Sequence, residues 1–349
     1  MLSNASPDAH SHGGMRRLSG LQYVRGIAAC GVLAYHAADR AGVWLGLGEA
    51  GVDLFFVLSG FLMWAITNEA SRPGTFLLDR LKRILPGYWA ATSVMLAGAL
   101  IGLFPAVRLS IGHVLASYAF LPWISPSNGQ VWPLLVPGWT LNYEMAFYAL
   151  FALVLFVPRG RQLGLLTLVL GGLALAGGVL RPESTAMRFY TDPHILEFLG
   201  GLWLGWLWEK GGPSPATAPL LALAAVLGFA VSQMLPIGWP KPALFGVPAL
   251  LTVAAVLGWE RRPGGIGGWP LLEGLGDASY SIYLWHTLAL SVSARVAHML
   301  GLSVLPAIAL HVVAGLAAGL AGYGLVERPM IRHFAARRRR FRKVVAGAA

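Results

Sequence analysis

Two ionisable side chains lie inside the first apolar segment of the chain, where a charge is costly. Arg25 and His36 are eleven residues apart, so both project from one face of a helix, about 16 Å apart along its axis. The histidine could take a proton from a hydroxyl group, and the arginine could hold an anion. The structural alternative is a snorkelling arginine and a histidine at the membrane interface. The shared face favours a functional pair.

Two carboxyl groups are predicted at the depth of His36. Asp53 begins the second apolar segment, and Glu144 lies within the fourth. A carboxylate beside a histidine fixes its tautomer and stabilises the imidazolium. We therefore expect His36 to be a general base that Asp53 or Glu144 orients. Asp53 also has a structural interpretation, as an acidic residue at a helix N-terminus.

Two further arginines precede the third apolar segment. Arg80 and Arg83 are three residues apart and share one face of a helical turn. Their guanidinium forks suit phosphate groups, although spacing alone favours anchoring at the membrane surface. The single cysteine, Cys30, excludes disulfides and cysteine-based zinc sites. We expect it to be a packing residue, and we expect no metal site.

The composition indicates which elements position these residues. The chain has 349 residues, of which 56% are hydrophobic and 12% charged, whereas soluble domains are about half apolar and about one quarter charged. This excludes a disordered chain and an ordinary soluble enzyme and predicts an all-α polytopic membrane protein. Ten spans are predicted, at 21–38, 51–68, 84–104, 139–158, 163–180, 194–209, 217–235, 243–260, 278–299 and 303–325.

The distribution of positive charge predicts the orientation. With ten spans, most of the 26 lysines and arginines fall on one side, which the positive-inside rule places in the cytoplasm together with both termini. The apolar segment 111–124 is too short to span. Residues 1–17 are predicted to be disordered, 18–334 to form the membrane domain and 335–349 to form a basic tail. Beside a membrane, such a tail contacts anionic lipid rather than nucleic acid.

Besides Arg25 with His36, the chain contains a series of motifs, which are GVDLFFVLSGF at 51–61, RLKR at 80–83, PGWTLNYE at 137–144, EFLG at 197–200, SYSIYLWH at 279–286 and ERP at 327–329. These motifs and their order resemble those of the acyltransferase-3 family of integral membrane proteins. The resemblance covers about residues 18–334, and the segment 139–148 is most similar to bacterial exopolysaccharide acetyltransferases of the succinoglycan type.

The resemblance implies a ten-helix enzyme of the bacterial cytoplasmic membrane. Such an enzyme moves an acyl group, usually acetyl, from cytoplasmic acyl-CoA to a hydroxyl of a glycan or glycolipid outside. It implies that Arg25 and His36 are essential, with His36 catalytic, and it places the family's R-x-x-R motif at Arg80 and Arg83. Together with the phosphate argument, this predicts that Arg25, Arg80 and Arg83 bind acyl-CoA, with no metal.

Two other classes of function compete with acyl transfer. One is a proton-coupled transporter or flippase, in which His36, Asp53 and Glu144 would form a proton relay. The other is a binding protein that keeps the fold without chemistry. The sequence leaves open the acceptor, the acyl chain length, the oligomeric state and the choice between direct transfer and an acyl-enzyme.

Overall fold

The computed structural model describes residues 18–235 and 242–336. Within these ranges the regular structure is helical, with no β-strand, which confirms the all-α class. The segment 1–17 and residues 337–349 of the basic tail lie outside the described residues. The helices are α1 Ser19–Arg40, α2 Gly51–Ala65, α3 Pro73–Leu100, α4 Ile111–Tyr118, α5 Gly138–Val154, α6 Arg159–Leu180, α7 Thr185–Tyr190, α8 Ile195–Glu209, α9 Ala218–Ser232, α10 Val247–Glu260, α11 Pro270–Met299 and α12 Val304–Gly322.

An α-helix occupies each of the ten segments predicted to span. Four helical stretches in the described residues are long and apolar enough to cross a membrane by length and composition: Gly46–Ala65, Arg159–Leu180, Pro242–Glu260 and Val304–Ala336. The chain therefore has the character of a membrane protein, and ten crossings with cytoplasmic termini stay a prediction. The segment 111–124 holds only the eight-residue helix α4, which agrees with the expectation that it does not span.

The outer helices present apolar surface rather than polar surface. On α6, Leu168, Leu175 and Val179 are each about 70% exposed, and little of this helix is buried against the rest of the protein. An apolar helix with such a face needs an apolar solvent. These side chains are therefore placed to face lipid.

Close backbone contacts hold the central helices together. A Cβ atom on Gly60 of α2 would lie 2.1 Å from the carbonyl oxygen of Phe198, and one on Gly201 of α8 would lie 2.0 Å from that of Val57. In the same way, Gly276 of α11 meets the backbone of α1. Small residues allow the close approach on which helix association in lipid depends. Helices α2 and α8 are therefore one closely packed pair, and helices α1 and α11 are another.

Helix α3 is longer than its predicted span. It runs for 28 residues, from Pro73 to Leu100, and Pro86 lies inside it. Proline suits the first helical turn because the amide hydrogen it lacks has no partner there. Arg80 and Arg83 thus lie in a continuous helix, one turn apart, as their spacing predicts.

Candidate active site

A cavity of about 120 Å³ lies between α1, α2, α3, α5 and α11. Its charged lining residues are Arg25, Arg80, Arg83 and Glu144, and Ser59 and Tyr148 supply hydroxyl groups; Thr140, Tyr280, Tyr283 and apolar side chains complete the lining. Four of the six predicted site residues, from the three helices α1, α3 and α5, thus come together in one place. The exceptions are His36 and Asp53, which do not line this cavity.

Three oxygen-bearing side chains form a hydrogen-bonded group on one wall of the cavity. The Tyr148 hydroxyl donates to the Glu144 carboxylate. Ser59 Oγ lies 3.2 Å from Glu144 Oε1 and 3.2 Å from the Tyr148 hydroxyl oxygen. Glu144 and Tyr148 are one helical turn apart on α5, and Ser59 reaches them from α2. The carboxylate is therefore held in one position by two donors.

Another part of the cavity lining is positively charged. Arg25 comes from α1, whereas Arg80 and Arg83 come from consecutive turns of α3, and all three side chains are half-buried. Lys82, between the two α3 arginines, is exposed and does not line the cavity. The arginines outnumber the one carboxylate that lines the cavity, Glu144. The site can therefore hold an anion.

A second carboxylate, outside the cavity lining, interacts with two of the arginines. Glu327, in the short helical segment Tyr323–Glu327 after α12, is buried and interacts electrostatically with Arg25 and Arg83. Ser281 Oγ donates to Glu327 Oε2 at 2.6 Å. This contact fixes the carboxylate, whose negative charge offsets part of the positive charge of Arg25 and Arg83.

His36 lies further along α1 and has a different environment. Its ring stacks on that of His286 of α11, with ring centroids 5.3 Å apart and planes inclined by 26°. The charged groups that act on His36 are Asp39, Arg40 and Glu49. No contact with Glu144 or Asp53 is found. The expected group of a histidine between these two carboxylates is therefore not formed.

Asp53 belongs to a separate polar cluster with Glu197. Both side chains are buried, and their carboxyl groups lie within hydrogen-bonding reach of one another. His194 lies close to Asp53 and contacts Asp192. Two carboxyl groups this close repel each other when both are ionised. The cluster lies apart from His36 and does not orient its ring.

The position of Glu144 differs from the expectation for a physical reason. The prediction assumed that α5 begins at the membrane surface. Instead, the chain is already buried at Leu134 and Leu135, and Gly138, the first residue of α5, packs against the Tyr88 ring. Because α5 begins inside the protein, Glu144 reaches the level of Arg25 rather than that of His36.

Sequence reasoning missed three polar residues of this region. Tyr148 and Ser59 could have been found as polar residues within apolar helices, and Tyr148 is also four residues from Glu144. His286 ends one of the quoted motifs. Its Nδ1 lies 3.1 Å from the Ile282 carbonyl oxygen, and its buried Nε2 has no hydrogen-bond partner among the described residues. A buried histidine in an apolar segment was the available signal.

The described residues contain no group of three or more His, Cys, Asp or Glu side chains that could hold a metal ion. The cavity itself offers guanidinium, carboxylate and hydroxyl groups. This set can bind an anionic molecule and hold a proton next to it.

Comparison with known proteins gives a family match over most of the chain. Residues 18–326 match the model of an acyltransferase domain, the acyltransferase-3 domain. The exopolysaccharide production protein ExoZ of Rhizobium meliloti is 45% identical over 320 residues, which cover 91% of this chain and 98% of that protein. No solved structure matches the chain.

Two more distant relatives carry provisional names. A protein of Komagataeibacter xylinus named as a membrane-bound transacylase, BcsY, is 31% identical over 75% of this chain and 70% of its own length. A protein of Staphylococcus aureus strain COL named as an O-acetyltransferase is 26% identical over 79% of this chain. The match spans about half of that protein, 51% of its length.

Proposed function

We propose an activity for this chain, which belongs to the acyltransferase-3 family: it moves an acetyl group from acetyl-CoA to a hydroxyl of a cell-surface polysaccharide or glycolipid. Family membership makes the chain an acyltransferase, and its apolar helices give it the character of a membrane protein. The names of its relatives, in exopolysaccharide production and O-acetyl transfer, support a polysaccharide acceptor and an acetyl group.

The observation that carries the donor side of this proposal is the positively charged cavity. Arg25, Arg80 and Arg83 line it from two helices. Acyl-CoA carries phosphate groups, and arginine binds phosphate with two parallel hydrogen bonds. The two α3 arginines would hold the phosphates at the entrance, and Arg25 would lie deeper, on the path of the acyl-pantetheine arm along α1 toward His36.

The acceptor hydroxyl would react near His36. In the proposed step, the neutral imidazole of His36 removes the hydroxyl proton while the acceptor oxygen forms a bond to the acyl carbon. The bond between that carbon and sulfur breaks, and the CoA thiolate leaves and takes up a proton. A general base of this kind contributes about 10² to 10⁴ in rate. His286, stacked on His36, would keep the imidazole ring in its reactive orientation.

The separation of Arg25 from His36 along α1 supports a reaction between two faces of the membrane. Their rise is about 16 Å, roughly half of a hydrocarbon core of about 30 Å. We propose that the arginine end faces the cytoplasm and the His36 end faces outward, in a bacterial cytoplasmic membrane. Acetyl-CoA would then enter from within, and the glycan would enter from outside.

The test combines acetyl-CoA binding by the purified protein with mass spectrometry of surface glycans from cells with and without the gene. Acetyl-CoA binding and loss of O-acetyl groups in the deletion are the expected results. A protein that moves protons or glycans across liposomes without binding acetyl-CoA would instead be a transporter. Unchanged acetylation in the deletion would contradict the proposal.

A further inference from the structure

A second cavity lies at the other end of α1. Its volume is about 390 Å³, and it is formed by the end of α1, the end of α11 and the start of α12. Arg40 is fifteen residues from Arg25, so the cavity lies about 22 Å along α1 from the start of the first cavity. The two cavities therefore serve opposite ends of the same helix.

The lining of this second cavity is basic. Arg40, His298 and His311 line it together with small and apolar residues, and none of its lining residues is acidic. Arg40 and His298 are exposed, so the cavity opens to the surface of the protein. A guanidinium group beside two imidazole groups, without a carboxylate, is an arrangement that binds oxyanions.

His311 is held in place for such a contact. The residue is only 1% exposed, and its Nδ1 lies 2.8 Å from the Ser293 hydroxyl oxygen. Because Ser293 occupies Nδ1, Nε2 is the nitrogen that remains for a ligand. The serine comes from α11 and the histidine from α12, so the hydrogen bond that fixes the ring joins two of the helices that line the cavity.

The second cavity is adjacent to the proposed catalytic histidine. Arg40 follows His36 by one turn of α1, and its charge acts on both His36 and His311. A molecule whose anionic group bound Arg40 would therefore be anchored about one helical turn from His36 along α1. The cavity is thus placed to position an acceptor.

We infer that this second cavity binds an oxyanion carried by the acceptor, a carboxylate or phosphate group of the glycan or glycolipid that is acetylated. This inference rests on the proposed function, and it adds the class of acceptor: an anionic one. The oxyanion would pair with Arg40 and accept a hydrogen bond from His298. It would also accept one from Nε2 of His311 in the tautomer in which Nδ1 accepts the Ser293 hydroxyl proton. An acceptor hydroxyl a few ångströms away would then face His36.

Binding of inorganic phosphate tests the site independently of catalysis. The protein in phosphatidylcholine nanodiscs is heated in sodium phosphate or in sodium chloride of equal ionic strength. We expect phosphate to raise the melting temperature of the wild type and of Arg295→Gln, a matched control on the exposed side of α11. The rise should be absent in Arg40→Gln and reduced in His298→Gln, both exposed positions where folding tolerates the change.

Acetyl transfer to three small sugars tests the role in acceptor binding. Methyl glucoside is neutral, methyl glucuronide carries a carboxylate, and glucose 1-phosphate carries a phosphate. We expect a lower KM for one or both anionic sugars, and the preferred one identifies the acceptor's group. Arg40→Gln should raise that KM about tenfold or more, the effect of losing a charge-assisted hydrogen bond, with no change for methyl glucoside or in the KM of acetyl-CoA.

Several results would overturn the inference. One is an absence of phosphate stabilisation in the wild type, whatever the transfer assay gives. Another is an equal effect of Arg40→Gln on neutral and anionic sugars, and a third is an equal effect of Arg295→Gln. If phosphatidylglycerol in the nanodiscs abolishes both phosphate stabilisation and the preference for an anionic sugar, the cavity is a lipid headgroup site. Phosphate stabilisation that depends on Arg40, without transfer to any sugar, would support the oxyanion site and contradict acetyl transfer.

Discussion

The two ends of helix α1 differ in how their polar groups are held. At the Arg25 end, Glu144 is fixed by Tyr148 and Ser59, and a buried carboxylate supports the arginines. At the His36 end, the histidine is held by ring stacking on His286, near a cavity that opens to the surface beside Arg40. The first end holds its charged groups in fixed positions, and the second end is open. This suits an enzyme whose donor and acceptor bind at opposite ends of one helix.

The largest expected effect is that of His36→Ala. Removal of the imidazole should lower acetyl transfer by about 10² to 10⁴ and leave acetyl-CoA affinity unchanged, because the donor binds at the other end of α1. Transfer rates and acetyl-CoA binding of the purified protein check this. His333→Ala, at an exposed histidine, is the control. Transfer within tenfold of the wild type would remove His36 from the mechanism.

The next effect is that of Glu144→Gln, which tests the Arg25 end. The amide keeps the shape but not the charge that faces three arginines, and it disturbs hydrogen bonds to a charged group that are worth about 1.5–3 kcal/mol each. We expect transfer to fall by about tenfold to a hundredfold. Glu209→Gln, at a carboxylate paired with Arg159 on the surface, should be nearly neutral. Equal effects of the two changes would mean that Glu144 has no special role.

A smaller effect is expected from Arg80→Lys and Arg83→Lys. Lysine keeps the charge but loses the fork that binds phosphate with two hydrogen bonds, so the Kd of acetyl-CoA should rise about tenfold. Lys82→Gln, at the exposed residue between them, is the matched control. Calorimetric titration measures all three. If neither arginine variant changes the Kd, both residues anchor the helix at the membrane surface instead.

The smallest effect is expected at His286, which touches His36 but not the donor cavity. His286→Phe keeps a ring for the stacking contact, whereas His286→Ala leaves a void. We expect a loss of transfer of about threefold to fivefold in the alanine variant, a smaller loss in the phenylalanine variant and no change in the KM of acetyl-CoA. Equal transfer by the two variants would show that ring stacking does not position His36.

The helices could be predicted from the sequence because apolar segments in lipid have few alternatives to a helix. The spacing of Arg80 and Arg83 also predicted correctly that they share one helical face. The grouping of side chains from different helices was harder to predict. Glu144 was assigned to the wrong end because nothing in its own helix shows that the preceding residues, Leu134 and Leu135, are buried. His286 was missed because its partner, His36, is distant in sequence.

The central claim is that the two ends of α1 face opposite sides of the membrane, with the arginine end inside. The most direct test places a single cysteine at Thr75 or at Asn128, both exposed, after replacing Cys30 with alanine. A membrane-impermeant maleimide is then added to spheroplasts, whose cytoplasmic membrane is intact. We expect the cysteine at 128 to be labelled in spheroplasts and the one at 75 to be labelled only after lysis. The reverse pattern would contradict it.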